Sequence, residues 1–255
     1  MPGIGFFNDM YRDILRGGNF HDNIHTKGFV GGNFDNNGYI DYLFKGSSID
    51  TPVKHRFLDY NQSLNYVECH DNNTLYDKLT FSNGREDKNT LLRRVEFANK
   101  MVILSFGIGF IHMGQEIGLS KSGLDNTYNV IKVNNMNWNL VDERFDMVER
   151  LASIIYFRQK MVSYFPNGKL DELPNLFKMD YWHNGMLCLV AENEAKLQPY
   201  KKILILINPT LDKKTYELDD YYKLLVDVKS KGENIMMKNG MIAPLSIQIL
   251  FLKKE

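Results

Sequence analysis

The amino-acid sequence predicts a parallel α/β part followed by a small antiparallel β domain. Three observations predict it. Between Gly3 and Tyr164 a short apolar run followed by a helical stretch occurs three times, with polar loops after the apolar runs. The helical stretches carry apolar residues at spacings of three and four, which puts one buried face on each. From Leu176 the texture changes to strand-like runs separated by turn signals. A chain of 255 residues has room for a medium domain and a small one. The expected division is 1–170 for the α/β part and 171–255 for a β-sandwich-like domain.

Gly3 to Phe7 is the first apolar run, and Asn8 and Asp9 offer caps for a helix over Met10–Arg16, stopped by Gly17-Gly18. Asn19 to Asn61 is a different material, rich in Gly, Asn, Asp and His and without sustained periodicity. Such a stretch reads as a functional loop carrying small inserted elements. Leu64–Cys69 is the second strand. A helix is expected over Asp87–Phe106, because Leu91, Val95, Ala98 and Val102 fall on one face and Gly107 is placed to end it. Ile108–Ile111 is the third strand, running into His112-Met113-Gly114-Gln115-Glu116 and a polar loop to about Asp142. Phe145, Val148, Ala152 and Ile155 mark a third helix, which Pro166-Asn167-Gly168 breaks. In the β part Met186–Ala191, Lys202–Ile207, Leu224–Val228 and Ile247–Leu252 are strand-like, with turns expected at Asn208-Pro209 and Asn239-Gly240.

Lys+Arg and Asp+Glu are both 31, so no global charge draws the chain to nucleic acid or to anionic lipid, and neither is an expected partner. No run is long enough to span a bilayer, and Met1-Pro2-Gly3-Ile4-Gly5-Phe6-Phe7 has no basic segment before a long apolar one. Two well-separated cysteines, Cys69 and Cys188, are not a disulfide framework, and cytoplasmic residence is expected. Aromatic residues make up 13 %, which suits packing against sugar rings and equally suits an aromatic core.

The densest chemistry lies in Glu68-Cys69-His70-Asp71-Asn72-Asn73-Thr74-Leu75-Tyr76-Asp77, where an apolar strand empties into His, Asp and amide side chains. A metal site is a weak reading, because neighbours on a strand point to opposite faces and no second Cys/His pair stands at ligand spacing. A Cys-His nucleophile meets the same geometric objection. Two readings stay open on the residues alone. One is a hydrogen-bonded polar strand end; the other is a sugar site, in which a fixed carboxylate and a His donor serve an oxocarbenium-like transition state.

A family resemblance adds to this. Glu68-x-His70-Asp71-Asn72-x-Thr74-Leu75-x-Asp77 resembles the last of four signature regions of the α-amylase clan (glycoside hydrolase family 13), in the form carried by type I pullulanases. Pro2 to Asp9 with Arg12-Asp13 resembles that family's sixth barrel strand and following helix, and Gly107 to Glu116 its eighth strand and exit loop. Lys121-x-Gly123-x-x-Asn126-Thr127-Tyr128-Asn129, then Asn135 to Trp138, is similar to a loop lining the substrate cleft. The likeness covers nearly the whole chain. It implies the last three or so strands of a (β/α)8 TIM barrel plus a closing β domain, and a debranching enzyme that cuts α-1,6 bonds in pullulan and branched α-glucans such as glycogen and amylopectin limit dextrins. By motif match Asp71 is the transition-state stabiliser and His70 a substrate-binding residue; Asn72, Asn126, Tyr128 and Asn129 are further candidates for sugar contact. Loop packing is an equally open role for Asn126, Tyr128 and Asn129. No cofactor is implied, since glycoside hydrolysis needs only carboxylates and water.

The same resemblance implies what is missing. The family's nucleophilic Asp and acid/base Glu follow the fourth and fifth strands, and neither a Gly-Phe-Arg-x-Asp-like nor a Gly-Glu-Gly-Trp-like block occurs here. A retaining glycosidase needs both, so the expectation is negligible hydrolysis by this polypeptide alone, and an α/β part with raw sheet edges and an exposed inner face. A separately encoded N-terminal half is the partner that would complete it. Rival readings are an isoamylase-like or other α-glucan debranching enzyme, against which the Asn72-x-Thr74-Leu75-x-Asp77 continuation speaks, and a non-catalytic glucan-binding protein. Among other residues, Gln115 and Glu116 are expected to orient loops, Arg12 and Asp13 to pair, and Trp138 and Trp182 to serve as core or loop anchors.

Overall fold

The computed structural model describes residues 4–161, 176–181, 185–192, 200–224 and 236–253. The chain divides into two compact units, Met1–Ala152 and Ser153–Glu255. The expected boundary at 170/171 and Trp182 lie outside the described residues.

In the first unit β1 (Phe6–Phe7), β2 (Ser63–Asn65) and β3 (Ile108–Gly109) form a parallel sheet in chain order, with Phe7 opposite Leu64 and Asn65 opposite Gly109. Helix α1 (Asp9–Arg16) follows β1, and the Asn8 side chain caps it by accepting from the Tyr11 N–H. The same Asn8 donates to Ser47 Oγ and Ser63 Oγ, both at 2.9 Å, while Asn65 donates to the Phe106 carbonyl at 2.8 Å. The interior beneath β2 is therefore a satisfied polar network, not an apolar one. The long irregular stretch carries α2 (Ile40–Phe44) and several 3-10 turns, as its composition suggested.

All three strands are shorter than the apolar runs that predict them. Beyond Asn65, whose carbonyl accepts from the Phe110 N–H, the chain leaves the ladder. The Val67 carbonyl is taken by the Arg16 side chain, so Tyr66–Cys69 is not strand. The opposite-face argument applied to Cys69 and His70 thus lacks its strand. Helix α3 (Leu75–Ser82) went unread, because buried Asp77 and Lys78 interrupt its apolar pattern; Thr74 caps it. Helix α4 (Lys88–Leu104) is the expected helix: Asp87 caps it, and Leu91, Val95, Ala98 and Val102 are all buried. Two short helices, α5 (Ile131–Asn134) and α6 (Trp138–Glu143), precede α7 (Phe145–Met161). The buried stripe of α7 is Met147, Leu151, Ile154 and Phe157, whereas Phe145 and Ile155 are exposed. The expected face is displaced by about one position onto bulkier side chains. Trp138 is 71 % exposed, which overturns its anchoring role.

The second unit is antiparallel throughout. Its described strands are β4 (Phe177–Tyr181), β5 (Leu187–Glu192), β6 (Tyr200–Asn208), β7 (Lys214–Leu224), β8 (Met236–Ile242) and β9 (Ser246–Lys253). They are hydrogen-bonded in the order β4-β5-β6-β9-β7-β8, with β7 and β9 joined only through Lys223–Phe251 and Leu224–Leu250. β6 is central, and Ile203 to Ile207 are buried on both faces. One face is a cluster of Met186, Cys188, Leu204, Leu206, Tyr216, Tyr222 and Leu250. Asn239-Gly240 is not a turn but part of β8. Gly240 stands opposite Tyr216, and an added Cβ there would collide with the Tyr216 ring, so the glycine marks a close approach. β7 reaches Leu224, where the expected strand Leu224–Val228 begins; the rest of that run lies outside the described residues. No helix among the described residues is long and apolar enough to cross a membrane.

Candidate functional site

Three segments build the site: the loop leaving β2, the loop leaving β3, and residues 120–134. Arg16, at the end of α1, is fully buried and donates to the Val67 carbonyl at 3.1 Å and the Asn73 carbonyl at 2.8 Å. Both shoulders of the loop are thereby fixed to one guanidinium. Burial pulls the Arg16 pKa down to about 10, offset in part by the Glu68 carboxylate. On the far side Lys78 is also buried and donates to the Ile24 and Thr26 carbonyls at 2.6 and 2.8 Å. Burial first, then the Arg16 charge, lowers the Lys78 pKa to about 7.

Between those shoulders the loop presents His70 and Asp71. His70 Nε2 lies 3.2 Å from Asp71 Oδ1, and both side chains are largely in solvent, 66 % and 57 % exposed. Asn72 takes a left-handed backbone, φ 59°, and its N–H donates to Asn126 Oδ1 at 3.1 Å; Asn126 is itself at φ 47°. Asn73 donates to the Gly123 carbonyl at 2.8 Å. The Tyr128 ring stands edge-on to His70, with centroids 6.1 Å apart. Five of the six sequence-derived residues are therefore brought together: His70, Asp71, Asn72, Asn126 and Tyr128. Asn129 is exposed and joins none of these bonds.

Beside this cluster is a cleft of about 180 Å³, lined by Glu68, His70, His112, Leu119, Lys121 and Tyr128 among others. Asp71 and Asn72 are not in its lining. Glu68 and His112 are residues the sequence reading gave no role. Glu68 is buried; its Oε2 accepts from the Leu75 N–H at 2.6 Å and its Oε1 lies 2.9 Å from His112 Nδ1. Lys121 is buried along most of its length, and among the described residues it makes no ion pair. Asp77 fixes its backbone: the carboxylate accepts from Ser120 Oγ at 2.5 Å and from the Lys121 N–H at 2.7 Å. Gln115 donates to Asn99 at 2.6 Å and accepts from the His112 N–H, while Glu116 accepts from the Gly114 N–H at 2.8 Å. Both orient the β3 exit loop, as expected. Arg12 and Asp13 pair at 2.7 Å, and Arg12 also donates to Tyr66 Oη at 2.7 Å.

Chemically the arrangement offers carboxylate, imidazole, ammonium, amide and one aromatic edge around a partly open cleft. That set combines hydrogen-bond donors and acceptors with an aromatic edge, the groups that hydroxyl-rich ligands pair with. No protein-family model matches the chain. Pullulanase of Bacillus subtilis (strain 168) is 34 % identical over 260 residues, an alignment taking in 100 % of this chain and 36 % of that protein. Its relatives are pullulanases. The crystal structure of pullulanase type I from Bacillus subtilis str. 168 complexed with maltose superposes with a TM-score of 0.87 at 26 % identity, covering 100 % of this chain and 36 % of that one. Pullulanase from Anoxybacillus sp. LM18-11 complexed with maltotetraose gives 0.84 at 27 % identity, covering 98 % and 35 %. The chain thus spans about a third of the length of the pullulanases it matches throughout, a share that fits a C-terminal portion.

Proposed function

We propose that this chain is the C-terminal portion of a type I pullulanase-like glycoside hydrolase of family 13 and that its cleft takes α-glucan. The observation that carries the reading is the likeness to pullulanases along the whole chain, combined with the meeting of its two motif-bearing loops at the ends of parallel strands. In this reading β1, β2 and β3 are about the sixth to eighth strands of a (β/α)8 barrel. Their parallel pairing in chain order supports it, as do Phe6 and Phe7, each about half exposed at 50 % and 51 % on the sheet. Asp71 is the assisting carboxylate. Its exposure leaves the carboxylate free to face developing positive charge, and His70 at 3.2 Å is its neighbour for sugar hydroxyls. Asn72, Asn126, Tyr128 and Asn129 complete the binding set.

These residues include no counterpart of the nucleophile or of the acid/base, so hydrolysis requires the preceding part of such an enzyme, which supplies both. Cytoplasmic residence belongs to the same reading, supported by Cys69 and Cys188, both free and buried. The test is a reconstitution. Purified chain is incubated with pullulan alone, and with a polypeptide comprising the preceding part of a pullulanase, and reducing ends are measured. No release alone, release on mixing, and loss of that release in Asp71→Asn are the expected results. Debranching by the chain alone overturns the division of roles. Absence of both recovery and maltotriose binding overturns the glucan reading.

A further inference from the structure

We propose that His112 is a hydroxyl-binding residue of the cleft and that Glu68 is the residue positioning it; this rests on the α-glucan reading above. Glu68 leaves β2, His112 leaves β3, and the two strands are neighbours through Asn65 and Gly109. Both Glu68 oxygens are engaged, one by the Leu75 N–H at the start of α3 and one by His112 Nδ1. One buried carboxylate therefore ties together three elements that surround the cleft. A carboxylate only accepts, so the bond places the hydrogen on Nδ1 and leaves the lone pair of the neutral ring on Nε2. Among the described residues nothing bonds to Nε2, although His112 lines the cleft with 23 % of its side chain exposed. Lys121 lines the same cleft and supplies only donors. An acceptor and a donor lining one small cleft match a sugar hydroxyl, which donates one hydrogen and accepts another. The Tyr128 and His70 rings flank that space. The imidazole works as a preset acceptor, and Glu68 holds both its tautomer and its plane.

The experiment is nitrogen-15 NMR of the histidine rings in the full chain at about pH 8, where an ordinary imidazole is neutral, with maltotriose added. The expected spectrum has the His112 hydrogen on Nδ1, and maltotriose shifts its Nε2 resonance together with the His70 signals. Glu68→Gln keeps an acceptor for the Leu75 N–H but turns an amide donor toward Nδ1. The ring is then expected to carry its hydrogen on Nε2, a signature that mere packing would not move. His112→Phe weakens maltotriose about fivefold, the worth of one net hydrogen bond, and His112→Gln recovers part of that loss. If maltotriose shifts His70 but leaves His112 unmoved, this proposal falls and the glucan reading stands. If neither responds, both fall. An unchanged tautomer in Glu68→Gln overturns the positioning role.

Discussion

In the first unit β1, β2 and β3 contribute two, three and two residues to their sheet. In the second, β6 alone runs nine residues and β7 eleven. The short sheet is surrounded by side chains that bond to groups far away in the chain: Asn8 to hydroxyls, and Asn65, Arg16 and Lys78 to backbone carbonyls. The long sheet is held by its own ladder and by aliphatic burial around Leu204, Leu206 and Leu250. The two regions therefore differ in what perturbs them. Charge removal and pH act on the first; lost apolar volume acts on the second.

The largest expected effect comes from the pair of buried Arg94 and partly buried Glu86, joined by two bonds of 2.6 and 2.7 Å. Glu86→Ala strands the Arg94 guanidinium and costs about 4 kcal/mol. Leu206→Ala costs about 3 kcal/mol through its cavity. Urea unfolding followed by probes in each unit checks the pair: each loss is confined to its own unit. A Leu206 substitution that shifted the first unit equally would erase the distinction.

A smaller effect is the pH response. The Lys78 pKa is lowered to about 7, so between that value and its ordinary one the unfolded chain binds more protons. Stability of the first unit therefore rises from about pH 7 toward ~8.5, below the ordinary thiol range where burial-raised Cys69 begins to work the opposite way. Lys78→Met flattens that rise, and the second unit shows none of it. Smallest is the cap of α4. Asp87 accepts from the Thr90 N–H at 3.0 Å, and Asp87→Ala removes that cap and lowers the melting temperature slightly.

The sequence made α4 legible because its stripe and Gly107 agree. It hid α3 for a physical reason: Asp77 and Lys78 are buried by bonds to distant loop atoms, so the helix loses the pattern that periodicity detects. Thr74-x-x-Asp77 was a cap signal within the motif and would have revealed it. In the β part, β7 alternates poorly and shifts register between Glu217 and Tyr222, while Gly240 imitates a turn. The site followed the same division. His70, Asp71 and Asn72 are contiguous and readable, and Asn126 with Tyr128 came from a second motif. Glu68 and His112 lie 44 residues apart in two separate motifs and meet because β2 and β3 pair, so no local pattern announces their contact.

The Asp77 carboxylate has a mechanical meaning beyond capping. It belongs to α3, which follows the β2 exit loop, yet it grips Ser120 and Lys121 on the segment leaving β3. The two rims of the cleft are thus geared together. Any displacement that widens one rim must either drag the other along or break two short bonds at once, so the cleft's width is set as a single coordinate and not as two independent ones.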